Sequence, residues 1–303
     1  MRIRLLGTAA GGGVPQWNCN CAVCRLARDG SGRVLARTQS SVAVSADGRR
    51  WFLLNASPDI RAQLESFPEL HPASGAPRSS PIEAVLVTNA DVDHTLGLLL
   101  LREGEPLVVH GTLPVQKSLE ISIEPVLKAF CGLRWVDPPG EPAPLLCRDG
   151  TESGLHYHAI ELPGKAPRFV KAPNAPKGNV IGYRLLDVKT GGRLLFVPGV
   201  AGLEPRLLAM LPQSEAVLFD GTFWSEREME ESGVGRVSAS EMGHVPVSGI
   251  GGSMKVLADL RVPHKVYTHI NNTNPMLIEH SAERRAVETA GCTVGRDGLE
   301  FSI

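Results

Sequence analysis

With 303 residues, 43% of them hydrophobic and 21% charged, and a formal net charge of −1, the chain is long enough to bury a substantial core. It has no excess of basic residues that would bind nucleic acid, and no apolar run reaches the roughly 18–20 residues of a membrane span. The opening MRIRLLGTAAGGG is broken by glycine too early for a secretory signal, so a soluble cytoplasmic protein is expected.

In chain order, the first strand signal, Ile3–Leu6, runs into a glycine-rich stretch and then CNCAVC. The glycines at 11–13 lack the Gly-Lys-Ser/Thr continuation of a phosphate loop and suit close packing of backbone on backbone. Six cysteines are too few for a disulfide scaffold. Cys19, Cys21 and Cys24 nevertheless crowd into six positions. That spacing can share a tetrahedral zinc if a fourth ligand arrives from far along the chain, or it can form a redox pair. Cys131, Cys147 and Cys292 stand alone and are expected to be ordinary buried residues.

Strand signals follow at Ser41–Ser45 and Arg50–Asn55, then a helix over 57–67 with Ser57 as N-cap and Pro58 in the first position. The next strand, Ala84–Thr88, ends in NADVDHTLG, placing Asn89, Asp91, Asp93 and His94 just ahead of a helix over 94–104. Two readings stay open. One is a metal cradle at a strand end; the other is a capping network in which Asp91 or Asp93 accepts backbone N–H groups. A strand at Leu107–His110 and a helix over 112–122 precede a Pro/Gly-rich stretch, 137–155, read as loops.

Strands at Tyr157–Glu161, Asn179–Leu185 and Arg193–Val197 come next. His156 and His158 alternate there and are expected on a solvated face. A helix over 204–213, strands at Ala216–Asp220 and Lys265–His269, and a helix over 281–291 complete the set. Asp220 and His269 end strands, and His244 sits in the GHVPVSG turn, so these loops can converge with the Asp93–His94 loop. His71, His110, His264 and His280 have no supporting context. The expected architecture is a single α/β domain over 1–303, sheet packed on sheet with helices on the outer faces.

Six stretches fall in one order from end to end: LLGTAAGGGVPQWNCNCAVC, TNADVDHTLGL, GNVIGYRL, FDGTFW, MGHVPVSG and THINNTNPM. Across the whole chain they resemble the protein B family of pyrroloquinoline quinone (PQQ) biosynthesis, itself similar to the metallo-β-lactamase superfamily. The resemblance implies a four-layer αβ/βα sandwich. Hydrolytic relatives carry His-x-His-x-Asp-His on the loop after the strand, whereas residues 89–94 here read Asn-Ala-Asp-Val-Asp-His. Gly164 stands in place of their next histidine, and Val200 in place of their bridging aspartate. What remains is Asp93, His94 and His269. Two imidazoles and one carboxylate are the ligand set of a mononuclear iron(II) site with positions open for O2 and substrate, rather than of a two-zinc hydrolase.

The resemblance further implies that iron and O2 are used to hydroxylate the tyrosine ring of a crosslinked Glu-Tyr precursor. Asn89 and Asp91 would then hydrogen-bond ligands or substrate, and His244 would carry a proton or touch substrate. Asp220 would fix a ligand or bind a substrate amino group. Arg37, Lys171 and Lys177 are candidate cations for a carboxylate-rich substrate. Phosphodiesterase relatives close the cysteine zinc with a histidine where this chain has Asn272, the candidate fourth ligand of the 19–24 loop. The stripped site also leaves open a carrier that moves PQQ or its precursor towards the periplasm, and a metal-dependent hydrolase. The expected partners are that small molecule and O2, without nucleic acid or membrane, and a homodimer is compatible with the sequence.

Overall fold

The computed structural model describes residues 1–103, 106–170 and 177–303. One sheet is built from β1 (Arg2–Gly7), β2 (Ser41–Ser45), β3 (Trp51–Leu54), β4 (Ile82–Leu86), β5 (Leu107–His110) and β6 (Leu133–Val136), and the C-terminal β14 (Glu300–Ser302) pairs with β1 at its edge. The second holds β7 (Ala143–Leu146), β8 (Glu152–Glu161), β9 (Ile181–Asp187), β10 (Arg193–Val197), β11 (Ala216–Asp220), β12 (His264–Thr268) and β13 (Thr293–Val294), side by side in that order. β2, β3 and β11 are buried along their whole length. That is why they read as continuous apolar runs rather than as alternating ones.

The inner faces pack Ile3, Leu5, Phe52 and Leu86 of the first sheet against Tyr157, Tyr183, Leu194 and Phe196 of the second. Outside, Leu53, Val85 and Val109 bury helical Ile60, Leu119 and Leu127, while Val217, Phe219 and Tyr267 bury Leu207, Leu257 and Val287. The result is the αβ/βα sandwich expected from the sequence. Strands β3 to β6 and β10 to β13 run parallel within their sheets, so the carboxyl ends of each set open onto one edge. Side chains on the loops leaving such an edge can be brought together at a site. The two edges are stitched by backbone bonds: Ile181 N–H donates to Thr88 O at 2.9 Å, and Ala10 N–H to Ile270 O at 2.9 Å.

Several expectations are corrected. The stretch 137–155 is not all loop, because it holds β7 and the start of β8. β7 lies at a sheet edge, where Pro144 is tolerated, and that proline masked the strand signal. His158 is only 7% exposed, not solvated, because the outer face of a four-layer sandwich is covered; His156 is half-buried. Ser57 does not cap its helix, which runs Ile60–Glu65; its hydroxyl accepts from Asp59 N–H and donates to Gln63 Oε1. No helix among the described residues is long and apolar enough to cross a membrane.

Candidate metal centre

β4 delivers the chain to Thr88, whose N–H donates to Asn55 Oδ1 at 2.9 Å. A short helix then begins at Val92, two residues earlier than expected, so Asp93 and His94 sit in its first turn. Asp91 occupies the N-cap position with extended backbone, but its carboxylate makes no capping bond. The capping alternative therefore fails at Asp91. The turn is pressed against the end of β3: Ala56 N–H donates to His94 O at 2.8 Å and Gly97 N–H to Ala56 O at 3.0 Å. A Cβ on Gly97 would lie 2.3 Å from Ser57 O, so glycine is what permits this approach.

The structure brings Asp93, His94 and His269 together, with their ligand atoms within 4.8 Å of one another. Asp93 Oδ2 is 3.1 Å from His269 Nε2 and 3.9 Å from His94 Nε2. The far side of each imidazole decides which nitrogen is available. His94 Nδ1 lies 2.7 Å from Asn89 Oδ1, which can only accept, so Nδ1 carries the proton. Its Nε2 is then a bare lone pair, buried and without a hydrogen-bond partner. Thr222 Oγ1 donates to Asp220 Oδ1 at 2.6 Å and accepts from His269 Nδ1 at 2.8 Å, which frees Nε2 of that ring as well.

Burial pushes His94 down to about 4, so it is neutral at physiological pH. Burial opposes charge on Asp93, yet His94 and His269 beside it hold the carboxylate well below its usual range. Burial also opposes charge on His269, but Asp93 outweighs it and favours a proton on that ring, which a bound cation would replace. An orphaned buried Nε2, a second Nε2 and a carboxylate oxygen on one point are a donor set that fits a divalent transition metal. His269 adopts a left-handed φ of 55°, unusual outside glycine, and its ring is held there by donating Nδ1–H to Thr222 Oγ1 at 2.8 Å.

Asp220, His244 and His269 also bring ligand atoms within 4.8 Å. These atoms are already consumed in hydrogen bonds. Asp220 is fully buried; its Oδ2 accepts from His244 Nδ1 at 2.7 Å and from Val200 N–H at 2.9 Å, and its Oδ1 from Thr222. Asp220 thus holds a turn and orients His244, and its buried carboxylate does not line the cleft. His244 stacks on His269, ring centroids 5.5 Å apart, and lines an open cleft of about 350 Å³ with Asp91, Asp93, His94 and His269. With Nδ1–H committed to Asp220, its Nε2 is the basic nitrogen.

Asn89, Gly164 and Val200, which stand where hydrolytic relatives carry further metal ligands, offer none here. Asn89 is turned towards His94, and Val200 is a fully buried aliphatic side chain. At Gly164 a Cβ would lie 2.3 Å from Val180 Cγ2, so a histidine cannot simply be inserted. Asp91 remains on the cleft wall, its carboxyl pushed up to about 6 by burial and then by Asp93.

Cys19, Cys21 and Cys24 also bring their sulfurs within 4.8 Å of one another, on a loop and the start of a helix (Ala22–Arg28) that the sequence did not reveal. Burial pushes the Cys21 thiol up to about 12, so thiolate character there requires a cation. Asn272 closes the group: its backbone carbonyl accepts from Cys21 Sγ at 3.4 Å and its side-chain Nδ2 donates to Cys24 Sγ at 3.2 Å. The amide presents its nitrogen to the sulfur, so acting as an oxygen ligand requires the side chain to turn over.

Arg37 is not at the cleft. It is 4% exposed, and its guanidinium donates to Gly295 O and Leu35 O. Lys177 is exposed and does not line the cleft, and Lys171 lies outside the described residues. The cations that do line it, Lys165 and Arg168, were not singled out from the sequence, and neither was Thr222. The GT following Asp220 at a strand end was the available signal for Thr222.

Residues 50–270 match the family model of the β-lactamase superfamily domain. Over 100% of both chains, the protein is 45% identical to coenzyme PQQ synthesis protein B of Methylobacterium nodulans and 43% identical to that of Methylorubrum extorquens. Among solved structures it is similar to the zinc-bound crystal structure of PqqB from Methylobacterium extorquens, with TM-score 0.91 and 41% identity over 100% of both chains. A diphosphatase of the PhnP family shares the fold alone, with TM-score 0.68 and 19% identity over 100% of this chain and 97% of that one.

Proposed function

The chain belongs to the coenzyme PQQ synthesis protein B family of the β-lactamase superfamily, with a role in PQQ biosynthesis, and from that premise we propose that its step is an oxygenation. The substrate is the crosslinked Glu-Tyr unit, whose tyrosine ring is hydroxylated with iron and O2. A ring C–H becomes C–OH, and the second oxygen atom leaves as water with two electrons and two protons from a two-electron reductant.

The observation that carries this reading is the pair of imidazole Nε2 atoms and the single carboxylate of Asp93, with Gly164 and Val200 adding no further ligand. Asp93, His94 and His269 would hold an iron(II) ion, which would supply O2 activation, while a bridging hydroxide for hydrolysis would lack a second ion to hold it. Asn89 and Thr222 keep the two histidines in the ligating tautomer. His244 takes the phenolic proton on Nε2, and Asp220 stabilises the charge that results. The zinc named for the Methylobacterium extorquens structure suggests a structural role for zinc at Cys19, Cys21 and Cys24 in this chain.

The test is anaerobic loading with iron(II), then addition of the crosslinked diamino acid, ascorbate and labelled O2, followed by mass spectrometry. Incorporation of one labelled atom per hydroxylation supports the reading. Tight binding without incorporation replaces it with the carrier, and cleavage of a peptide replaces it with the hydrolase.

A further inference from the structure

Two opposite charges face the cleft without pairing. The Asp91 carboxylate is partly buried on its wall and makes no hydrogen bond or ion pair among the described residues. Arg168 lines the same cleft, exposed, and likewise makes none. The two side chains line one cleft, yet no ion pair closes between them. Lys165 sits on the same rim; its ammonium donates to Glu241 O at 2.9 Å and keeps two further N–H donors.

A carboxylate removed from water without a partner is unfavourable, and an unpaired guanidinium is a bidentate carboxylate receptor. The half-buried carboxylate therefore calls for a cation, and the exposed guanidinium on the same cleft is free to receive a carboxylate of the same ligand. We infer that this part of the cleft is a head-group subsite for an amino acid, in which Asp91 receives the ammonium and Arg168, with Lys165, receives carboxylate. The volume, about 350 Å³, suits a small molecule rather than a folded peptide. The proposal rests on the reading of this cleft as the place where an amine- and carboxylate-bearing substrate reacts, and it adds which groups read each charge.

The test separates binding from chemistry. Protein loaded with redox-inert zinc is titrated calorimetrically with the crosslinked Glu-Tyr diamino acid, with its N-acetylated form, and with its methyl esters. Wild-type protein is expected to prefer the unmodified molecule over both derivatives by at least tenfold. Asp91→Asn should erase only the preference against N-acetylation, and the double variant Arg168→Ala, Lys165→Ala only the preference against esterification. Retention of the cysteine-bound zinc checks that each variant is folded. Variants that keep both preferences overturn the subsite, as does wild-type protein that binds all three forms alike or none. If the pattern holds but no oxygen enters the ring, the hydroxylase reading fails while the subsite stands. If oxygen enters and the preferences do not change, the subsite fails alone.

Discussion

Asn89 Oδ1 lies 2.7 Å from Nδ1 of His94, so the residue that stands first in the loop fixes the ring of the histidine that stands last. Removing that acceptor frees the imidazole to rotate or change tautomer. Asn89→Ala is expected to weaken the metal held by Asp93, His94 and His269 by about 10- to 100-fold. Asn89→Asp, which keeps an acceptor, should lose much less. Chelator competition, with the cysteine-bound metal quantified in parallel, measures both; equal affinity in the alanine variant and wild type would sink the assignment.

Thr222 does the same for His269, and its hydroxyl is the discriminating atom. Thr222→Val keeps the shape but leaves a buried N–H unsatisfied, a loss of about 1–3 kcal/mol. The variant should melt earlier and bind the metal more weakly, while Thr222→Ser should restore both. A serine variant no better than valine would show that the methyl packing matters rather than the hydroxyl.

Restoring a histidine at position 164 should not rebuild a two-metal site. Even Gly164→Ala forces a methyl to within 2.6 Å of Val180 Cβ, so about 1–3 kcal/mol of overpacking is expected in urea unfolding. Val180→Gly in the same chain should recover part of that loss. Full stability of Gly164→Ala alone contradicts the steric account.

Glu228 gives a pH dependence of known sign. It is 4% exposed and accepts from the Thr273 hydroxyl and the Trp224 N–H, and burial pushes its carboxyl up to about 7. In the unfolded chain the group ionises near the ordinary glutamate value of about 4.3. The folded state therefore binds the extra proton between those two values. The associated stability is fully present below about 4.3 and is lost as pH rises through about 7, by up to roughly 4 kcal/mol. Comparing urea unfolding of wild type and Glu228→Gln from pH 4.5 to 7.5 isolates this contribution. The wild type should lose stability relative to the glutamine variant as pH rises, and parallel curves would remove Glu228 from the account.

Much of this site was legible in the chain because strand ends are legible. Ala216–Asp220 was placed with its observed bounds, and the strand leading to His269 one residue out of register. The continuous apolar runs of buried strands announce where a chain emerges at a sheet edge, and the polar residue at that point is exposed to scrutiny. Short or edge elements carry no such signature: β13 has two residues and β14 three, too few for any period to show. Lys165 and Arg168 escaped for a different reason. They belong to an irregular loop after β8, and nothing local says which cleft a loop will face. Arg37 was misread by the same token, since burial turned a cation into a strut for two carbonyls.

His269 and Asn272 are separated by two residues, and Ile270 between them pairs with Ala10 on the loop that leads to the cysteines. One short span of backbone thus belongs to both clusters at once. Anything that stiffens the cysteine loop lowers the entropy that must be surrendered when His269 is locked into its left-handed conformation, and the converse holds by thermodynamic reciprocity. The two clusters therefore share one backbone span, and filling either one should tighten the filling of the other.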